Sequence, residues 1–276
     1  MEILRYSAFT DDPAGGNPAG VVLDADGLDE TSMQRIAADV GYSETAFLTG
    51  HETRRAHVRY FSPLAEVPFC GHATIATAVA YAERFGDGEL TLTAPVGDIA
   101  VQTADRSATL RSIAPRSTPM PEGDLGRLLE ALRYHAEDLD PELPVRVAYA
   151  GAWHPIVAVR ERARLARLDY DVAALATLMA ERDWTTVDLV WRESGTVFHA
   201  RNPFPPGGVY EDPATGAAAA AFGGYLRELG LVAAPSTLTV HQGHDMGRPS
   251  LLRVGLDEGA DTGVRVTGQA VQIAQY

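Results

Sequence analysis

Apolar and polar positions along the chain alternate between two periods. Ile3 to Phe9 reads as a strand, and Val21 to Leu23 as its return after a glycine- and proline-rich loop, DDPAGGNPAG. Asp29 to Val40 has helical spacing: Met33, Ile36, Ala37 and Val40 share one face, Asp29 is placed to cap the start and Gly41 to end it. Thr45 to Leu48 and His57 to Phe61 are the next strands, and Leu90 to Pro95 with Ile99 to Thr103 read as a hairpin turning at Gly97-Asp98. In the middle of the chain, Leu125 to Tyr134 and Val172 to Arg182 read as surface helices, and Val145 to Tyr149 and Pro155 to Val159 as strands.

Two segments break the amphipathic rule. ATIATAVAYAERFG, from Ala73, and AAAAAFGGYLRELG, from Ala217, are apolar on every side until their last turn, and each stops at a glycine. Helices of that kind are buried. Tyr81 and Tyr225 hold the same place in the two segments, 144 residues apart, about half of the chain. Two readings follow: an internal duplication, each half wrapping a sheet around one small-residue helix, or a chance similarity of two alanine-rich helices. Each segment is preceded by a polar loop, Gly71-His72 in the first case and Asp212 to Gly216 in the second. A buried helix offers its unpaired N–H groups and the positive end of its dipole only at its start. Related halves would therefore suit an anionic group, such as a carboxylate, at their helix starts.

Composition narrows the class. The 276 residues are 46% hydrophobic and 22% charged, those of a globular protein. No apolar run approaches a membrane span and the N-terminus lacks a signal peptide's pattern, so a cytoplasmic protein is expected. A net charge of −14 argues against a nucleic-acid partner. All 23 basic residues are arginine, and the absence of lysine excludes a P-loop and a pyridoxal-phosphate Schiff base. One cysteine, Cys70, permits neither an internal disulfide nor a zinc site built from several cysteines. There is no GxSxG elbow and no GxGxxG loop.

The candidate chemistry is carried by few residues. Glu44 in SETAF enters an apolar strand, where partial desolvation suits a carboxylate to proton transfer; an exposed strand-edge glutamate is the alternative. His72 is a substrate donor, a second acid/base or a helix cap, and Asp212 a substrate partner or the cap of the second helix. His241 and His244, in HQGHDMG with Asp245, invite a metal, but their spacing is not diagnostic and no metal is assigned.

Together, GGNPAGVVLDADGL, SETAFL, EVPFCGHATIATA, YEDPATGAAAAA and HQGHDMGRPS make the sequence resemble the PhzF-like phenazine-biosynthesis family, from residue 5 to residue 270. The resemblance implies the α+β fold shared with diaminopimelate epimerase and the proline racemases: two pseudo-symmetric lobes, each a sheet rolled around a buried central helix. The expected lobes are 1–118, completed by 264–276, and 119–263. It implies a homodimer without metal or organic cofactor, acting on a small carboxylate in the cleft between lobes. It makes Glu44 the single acid/base of an isomerase, with His72 and Asp212 as its polar partners in catalysis. Gly71, Ala73 and Gly216 would offer backbone N–H groups to a carboxylate, and Asn17, Ser43, Thr215 and Gln242 would shape the binding site.

In the epimerase and racemase relatives two cysteines face each other across the substrate carbon. Cys70 stands where the first would be, but Pro213 occupies the place of the second. A two-thiol inversion is therefore not available, and Cys70 becomes a small packed residue at a helix start, with a lowered thiol pKa still open. Ala217 replaces a serine frequent in the family, which weakens any assignment to the phenazine precursor, a dihydro-hydroxyanthranilate. An epimerase or racemase pairing Glu44 with Cys70 or Asp212, and a non-catalytic binder on the same fold, are the alternatives.

Overall fold

The computed structural model describes residues 1–259 and 261–274. In chain order, β1 (Leu4–Ala8) and β2 (Asn17–Val22) precede α1 (Glu30–Val40). Then follow β3 (Glu44–Glu52), β4 (Arg55–Phe61), β5 (Glu66–Val67), α2 (Gly71–Phe85), β6 (Gly88–Ala94), β7 (Gly97–Ala104) and β8 (Ser107–Arg111). The second half begins with β9 (Arg116–Pro119), α3 (Asp124–Leu132), β10 (Arg146–Tyr149), β11 (Trp153–Val159), α4 (Arg162–Ala166) and α5 (Val172–Arg182). It continues with β12 (Asp188–Arg192), β13 (Val197–Pro203), β14 (Glu211–Asp212), α6 (Gly216–Glu228), β15 (Ser236–Gln242), β16 (Ser250–Leu256) and β17 (Arg265–Gln272).

The chain forms two compact units. The first holds Met1–Arg111 and the chain from Thr267 on; the second holds Ser112–Val266. The first unit thus ends at Arg111 rather than at 118, because β9 pairs with β10 of the second unit. The C-terminal return to the first unit starts at Thr267 rather than at 264 and carries most of β17, which pairs with β1; residues 275 and 276 lie outside the described residues.

In the first unit β1 and β2 are antiparallel, β2 and β3 parallel, β3 and β4 antiparallel, β4 and β6 parallel, β6 and β7 antiparallel. β8 follows β7 and pairs with β17, which returns to β1, so the strands close into a ring that packs on α2. All residues of α2 from His72 to Ala82 are buried. α1 covers the sheet from outside, seating Met33, Ile36 and Ala37 against Val22, Phe47 and Phe61. Its ends form as the sequence requires: the Asp29 carboxylate accepts from the Ser32 N–H at 2.8 Å, and Gly41, at φ +72°, donates to the Ala37 carbonyl.

The second unit repeats the scheme. β10 and β11 are antiparallel, β11 and β12 parallel, β12 and β13 antiparallel, β13 and β15 parallel, β15 and β16 antiparallel. The two-residue strands β5 and β14 hold the same place, each antiparallel to the strand before it and just ahead of a buried helix. This shared order and sense of pairing is what a duplication produces, and two alanine-rich helices alone do not account for it. Small residues in the central helix let strands approach: a Cβ on Gly223 would meet Val254 at 2.7 Å, and one on Gly224 would meet Pro115 at 2.3 Å. α3 and α5 seat Leu128, Leu132, Leu175, Leu178 and Met179 against Trp184 and Leu189.

Two local expectations change. β2 starts at Asn17, so the loop ends four residues earlier than its composition suggests; Pro18, opposite Ser7, is tolerated inside a strand. The β6–β7 turn lies at Pro95-Val96, with Gly97 opposite Ala94 and Asp98 opposite Thr93, whose hydroxyl donates to the Asp98 carboxylate at 2.7 Å.

Candidate active site

The left-handed Gly41 ends α1 and turns the chain into Ser43 and Glu44. Glu44 opens β3, where parallel pairing with Ala19 of β2 fixes its backbone. Its side chain is 15% exposed, so it is neither the water-facing edge residue nor a fully buried charge. The next four residues of β3, Thr45 to Leu48, are all buried, so the strand is covered on both faces just after the carboxylate.

His72 arrives from the other direction, as the second residue of α2, with a side chain 8% exposed. Its Nε2 lies 3.3 Å from Glu44 Oε2 and 3.3 Å from Ser43 Oγ. A proton on Nε2 would be shared between the carboxylate and the hydroxyl. His72 caps nothing; Cys70 holds the cap position of α2, in extended backbone and without a side-chain cap bond. Cys70 Sγ is buried 3.4 Å from His72 Nδ1 and 3.9 Å from Nε2, so it packs as a small residue and also touches the histidine. Its carbonyl accepts from the Thr74 N–H at 3.0 Å and the Thr74 hydroxyl at 2.6 Å, and Tyr60 closes the chain at 2.6 Å from that hydroxyl. Burial drives the Tyr60 phenol far above its ordinary range. The N–H groups of Gly71, His72 and Ala73 precede the first bond of the helix ladder, as an anion site at a helix start requires. Asn17 is buried in β2, two residues along the same face from Ala19.

The second unit gathers the other expected residues. Asp212 ends β14 and does not cap α6; that place belongs to Thr215. The Thr215 hydroxyl donates to Asp212 Oδ2 at 2.5 Å. Buried Gln242 ties the loop together: its Oε1 accepts from the Thr215 N–H at 3.1 Å and its Nε2 donates to the Asp212 carbonyl at 2.8 Å. Gly216 and Ala217 begin the helix, and Ala217 brings no hydroxyl there. Next to Asp212, Glu211 accepts both arms of buried Arg201, at 2.8 and 2.5 Å, which anchors β14 to the unit. His241 stacks on His199 with centroids 4.9 Å apart and meets His244 edge-on at 5.4 Å, and burial lowers the basicity of both His241 and His244.

One polar network escaped the sequence reading. Asp188 opens β12 as Glu44 opens β3, and it lies 144 residues after Glu44, the spacing of Tyr81 and Tyr225. That offset was the available signal. Asp188 is fully buried, and burial pushes its carboxyl up to about 7, a rise that the Asn202 amide, donating at 3.0 Å, only partly offsets. Asn202 accepts from the Thr186 hydroxyl at 2.7 Å, and Thr186 in turn lies 2.9 Å from His154 Nδ1. With its single proton given to Asn202, the Thr186 hydroxyl accepts from His154, which places the His154 proton on Nδ1. His154 Nε2 is buried without a partner, and burial lowers this imidazole to about 4.

A family model for the phenazine biosynthesis-like proteins matches residues 6–275. The chain belongs to the PhzC/PhzF phenazine biosynthesis-like family. Across 96% of the chain and 94% of the relative, it is 33% identical to trans-2,3-dihydro-3-hydroxyanthranilate isomerase of Pseudomonas chlororaphis. It is 31% identical to the isomerase YfhB of Bacillus subtilis, over 98% of the chain and 96% of the relative. The structure of a PhzF-family phenazine biosynthesis protein from Bacillus anthracis superimposes with a TM-score of 0.90 at 28% identity, covering 100% and 99% of the two chains. A probable proline racemase from Agrobacterium radiobacter, at 13% identity and a TM-score of 0.66 over 99% and 92% of the chains, shares the fold. This PhzF-family chain is an isomerase. No helix among its described residues is long and apolar enough to cross a membrane.

Proposed function

We propose that this PhzF-family isomerase moves a proton between two positions of a small carboxylic acid bearing an amino or hydroxyl group, with Glu44 as the single acid/base. One observation carries the reading: a half-buried carboxylate, on rigid backbone, 3.3 Å from the imidazole at the head of a buried helix. Glu44 as carboxylate takes the proton from an activated carbon, holds it as the carboxylic acid, and returns it to another carbon of the same molecule. Composition is conserved and no redox partner is consumed. His72, with Ser43, holds the carboxylate in position and helps relay the proton. The helix-start N–H groups of Gly71 and Ala73 receive the substrate carboxylate. Asn17 shapes the site in the first unit; in the second unit Asp212, held by Thr215 and Gln242 next to the Gly216 N–H, is a polar helix start of the same kind, suited to an amino or hydroxyl group. The fold is read as that of the diaminopimelate epimerases, and the chain as a homodimer.

Dihydro-hydroxyanthranilate, on which the Pseudomonas chlororaphis relative acts by its name, belongs to this substrate class, while Ala217 favours a variant of it that needs no hydroxyl there. The test is proton NMR in D₂O with amino and hydroxy carboxylates, dihydro-hydroxyanthranilate among them, on wild type and Glu44→Gln. Solvent-hydrogen incorporation or isomerisation that vanishes in Glu44→Gln supports the reading. A folded Glu44→Gln that turns over at the wild-type rate sinks it.

A further inference from the structure

The three side chains at the head of α2 form a donor set of another kind. Glu44, Cys70 and His72 each offer one ligand atom, oxygen, sulfur and nitrogen, and these atoms lie within 4.8 Å of one another. We infer that Glu44, Cys70 and His72 bind one zinc ion, and that the ion blocks the site rather than serving it.

The three donors stand close enough to close on one ion. Zinc bonds of about 2.0–2.3 Å at a tetrahedral centre place neighbouring donor atoms about 3.3–3.6 Å apart. Nε2 and Oε2 are 3.3 Å apart, and Sγ lies 3.9 Å from Nε2. Sγ lies nearer Nδ1, at 3.4 Å, so the Cys70 and His72 side chains turn on binding to set the sulfur and the Nε2 lone pair around one ion. The backbone supporting the donors is fixed: Glu44 by the β2–β3 pairing, Cys70 and His72 by a helix buried along most of its length. Little conformational entropy is lost when the ion enters.

The donor chemistry selects the ion. A thiolate, an imidazole and one carboxylate suit zinc and its soft neighbours, whereas magnesium and calcium want oxygen ligands. Three protein donors leave a fourth position for water, since Ser43, Glu44 and Gly71 are partly open to solvent. Zinc there occupies Glu44 and His72, the pair assigned to proton transfer, and so inhibits. Inhibition rests on the isomerase reading; binding does not.

The test uses the intact chain and the metal alone. Zn²⁺ is titrated against a chromophoric chelator, and Co²⁺ is followed by absorption for wild type, Cys70→Ser and His241→Gln. The expected result is one zinc per chain, unaffected by excess Mg²⁺, and a sulfur-to-cobalt charge-transfer band with the intense visible bands of a tetrahedral ion. Cys70→Ser, a one-atom change that spares the fold, should remove that band and weaken zinc at least about tenfold, or 1.4 kcal/mol. His241→Gln, which alters the surface histidine cluster instead, should leave both unchanged. Absence of saturable binding overturns the inference, as does binding that survives Cys70→Ser or disappears in His241→Gln.

Discussion

Replacing Asp188 by asparagine should stabilise this protein above neutral pH, although it alters a fully buried, hydrogen-bonded residue. The carboxyl of Asp188 stands at about 7 in the folded chain, against an ordinary 3.8, because burial disfavours its charge. Below pH 4 it is protonated in both states and contributes nothing to the pH dependence. Between about pH 4 and 7 the unfolded chain releases the proton that the folded chain keeps, so rising pH favours unfolding. At 1.36 kcal/mol per pH unit, about 4 kcal/mol of stability is lost by the time the folded group ionises. His154 works in the opposite direction. Its imidazole stands at about 4, against 6.5, so the folded chain refuses a proton that the unfolded chain accepts. Stability then falls by about 3 kcal/mol as pH drops from 6.5 to 4. Between pH 4.5 and 6.5 the two slopes nearly cancel.

Asp188→Asn keeps an acceptor for the Asn202 amide and removes one slope only. Calorimetric scans of wild type and variant from pH 4 to 9 should give similar Tm values at pH 4 and a gap that widens to pH 7.5. There the variant should be higher by on the order of 10 °C. His154→Gln, which keeps a donor for Thr186, should instead flatten the acid limb. An Asp188→Asn Tm below wild type at pH 8, or a pH-independent gap, would refute the reasoning.

Other expectations can be checked separately. Glu44→Gln should lower kcat by about 10²–10⁴ with melting little changed, read by single-turnover kinetics on whichever carboxylate the NMR screen identifies. Arg201→Leu should cost about 3–5 kcal/mol in urea unfolding, since it strands the Glu211 charge, whose side chain is 3% exposed. Gly223→Ala should cost about 1–3 kcal/mol, because its methyl would press on Val254; an unchanged urea midpoint would show that the strand can give way. Asp29→Ala should lower the urea midpoint at constant m, through loss of its bond to the Ser32 N–H.

Much of the architecture was legible because it is written in local pattern. Helical spacing and two end residues define α1, and α5 falls where its periodicity placed it. Unbroken runs of small apolar residues marked α2 and α6 as buried, and their offset of 144 marked a repeat that the strand pairing displays. SETAF and FCGHAT marked a strand entry and a helix start, which are local features, and the fold sets Glu44 and His72 from these two motifs 3.3 Å apart.

What the sequence did not contain was which distant groups meet. Glu44 and His72 are 28 positions apart, and only parallel pairing of β2 with β3, together with the docking of α2 on that sheet, brings oxygen and nitrogen to 3.3 Å. Cys70 read chiefly as a small packed residue, and only the folded chain sets its sulfur 3.4 Å from that imidazole. β14 is two residues long and has no periodicity to detect; Asn202 across the ladder and the Arg201–Glu211 pair fix its place. Asp188 shows the division most sharply. The sequence offered its offset from Glu44, yet one carboxyl is partly open beside a histidine and the other is sealed against an amide. Local pattern determines element type because backbone propensity and side-chain period act over a few residues. Burial and partner decide chemistry, and both are set by long-range packing that only the tertiary structure supplies.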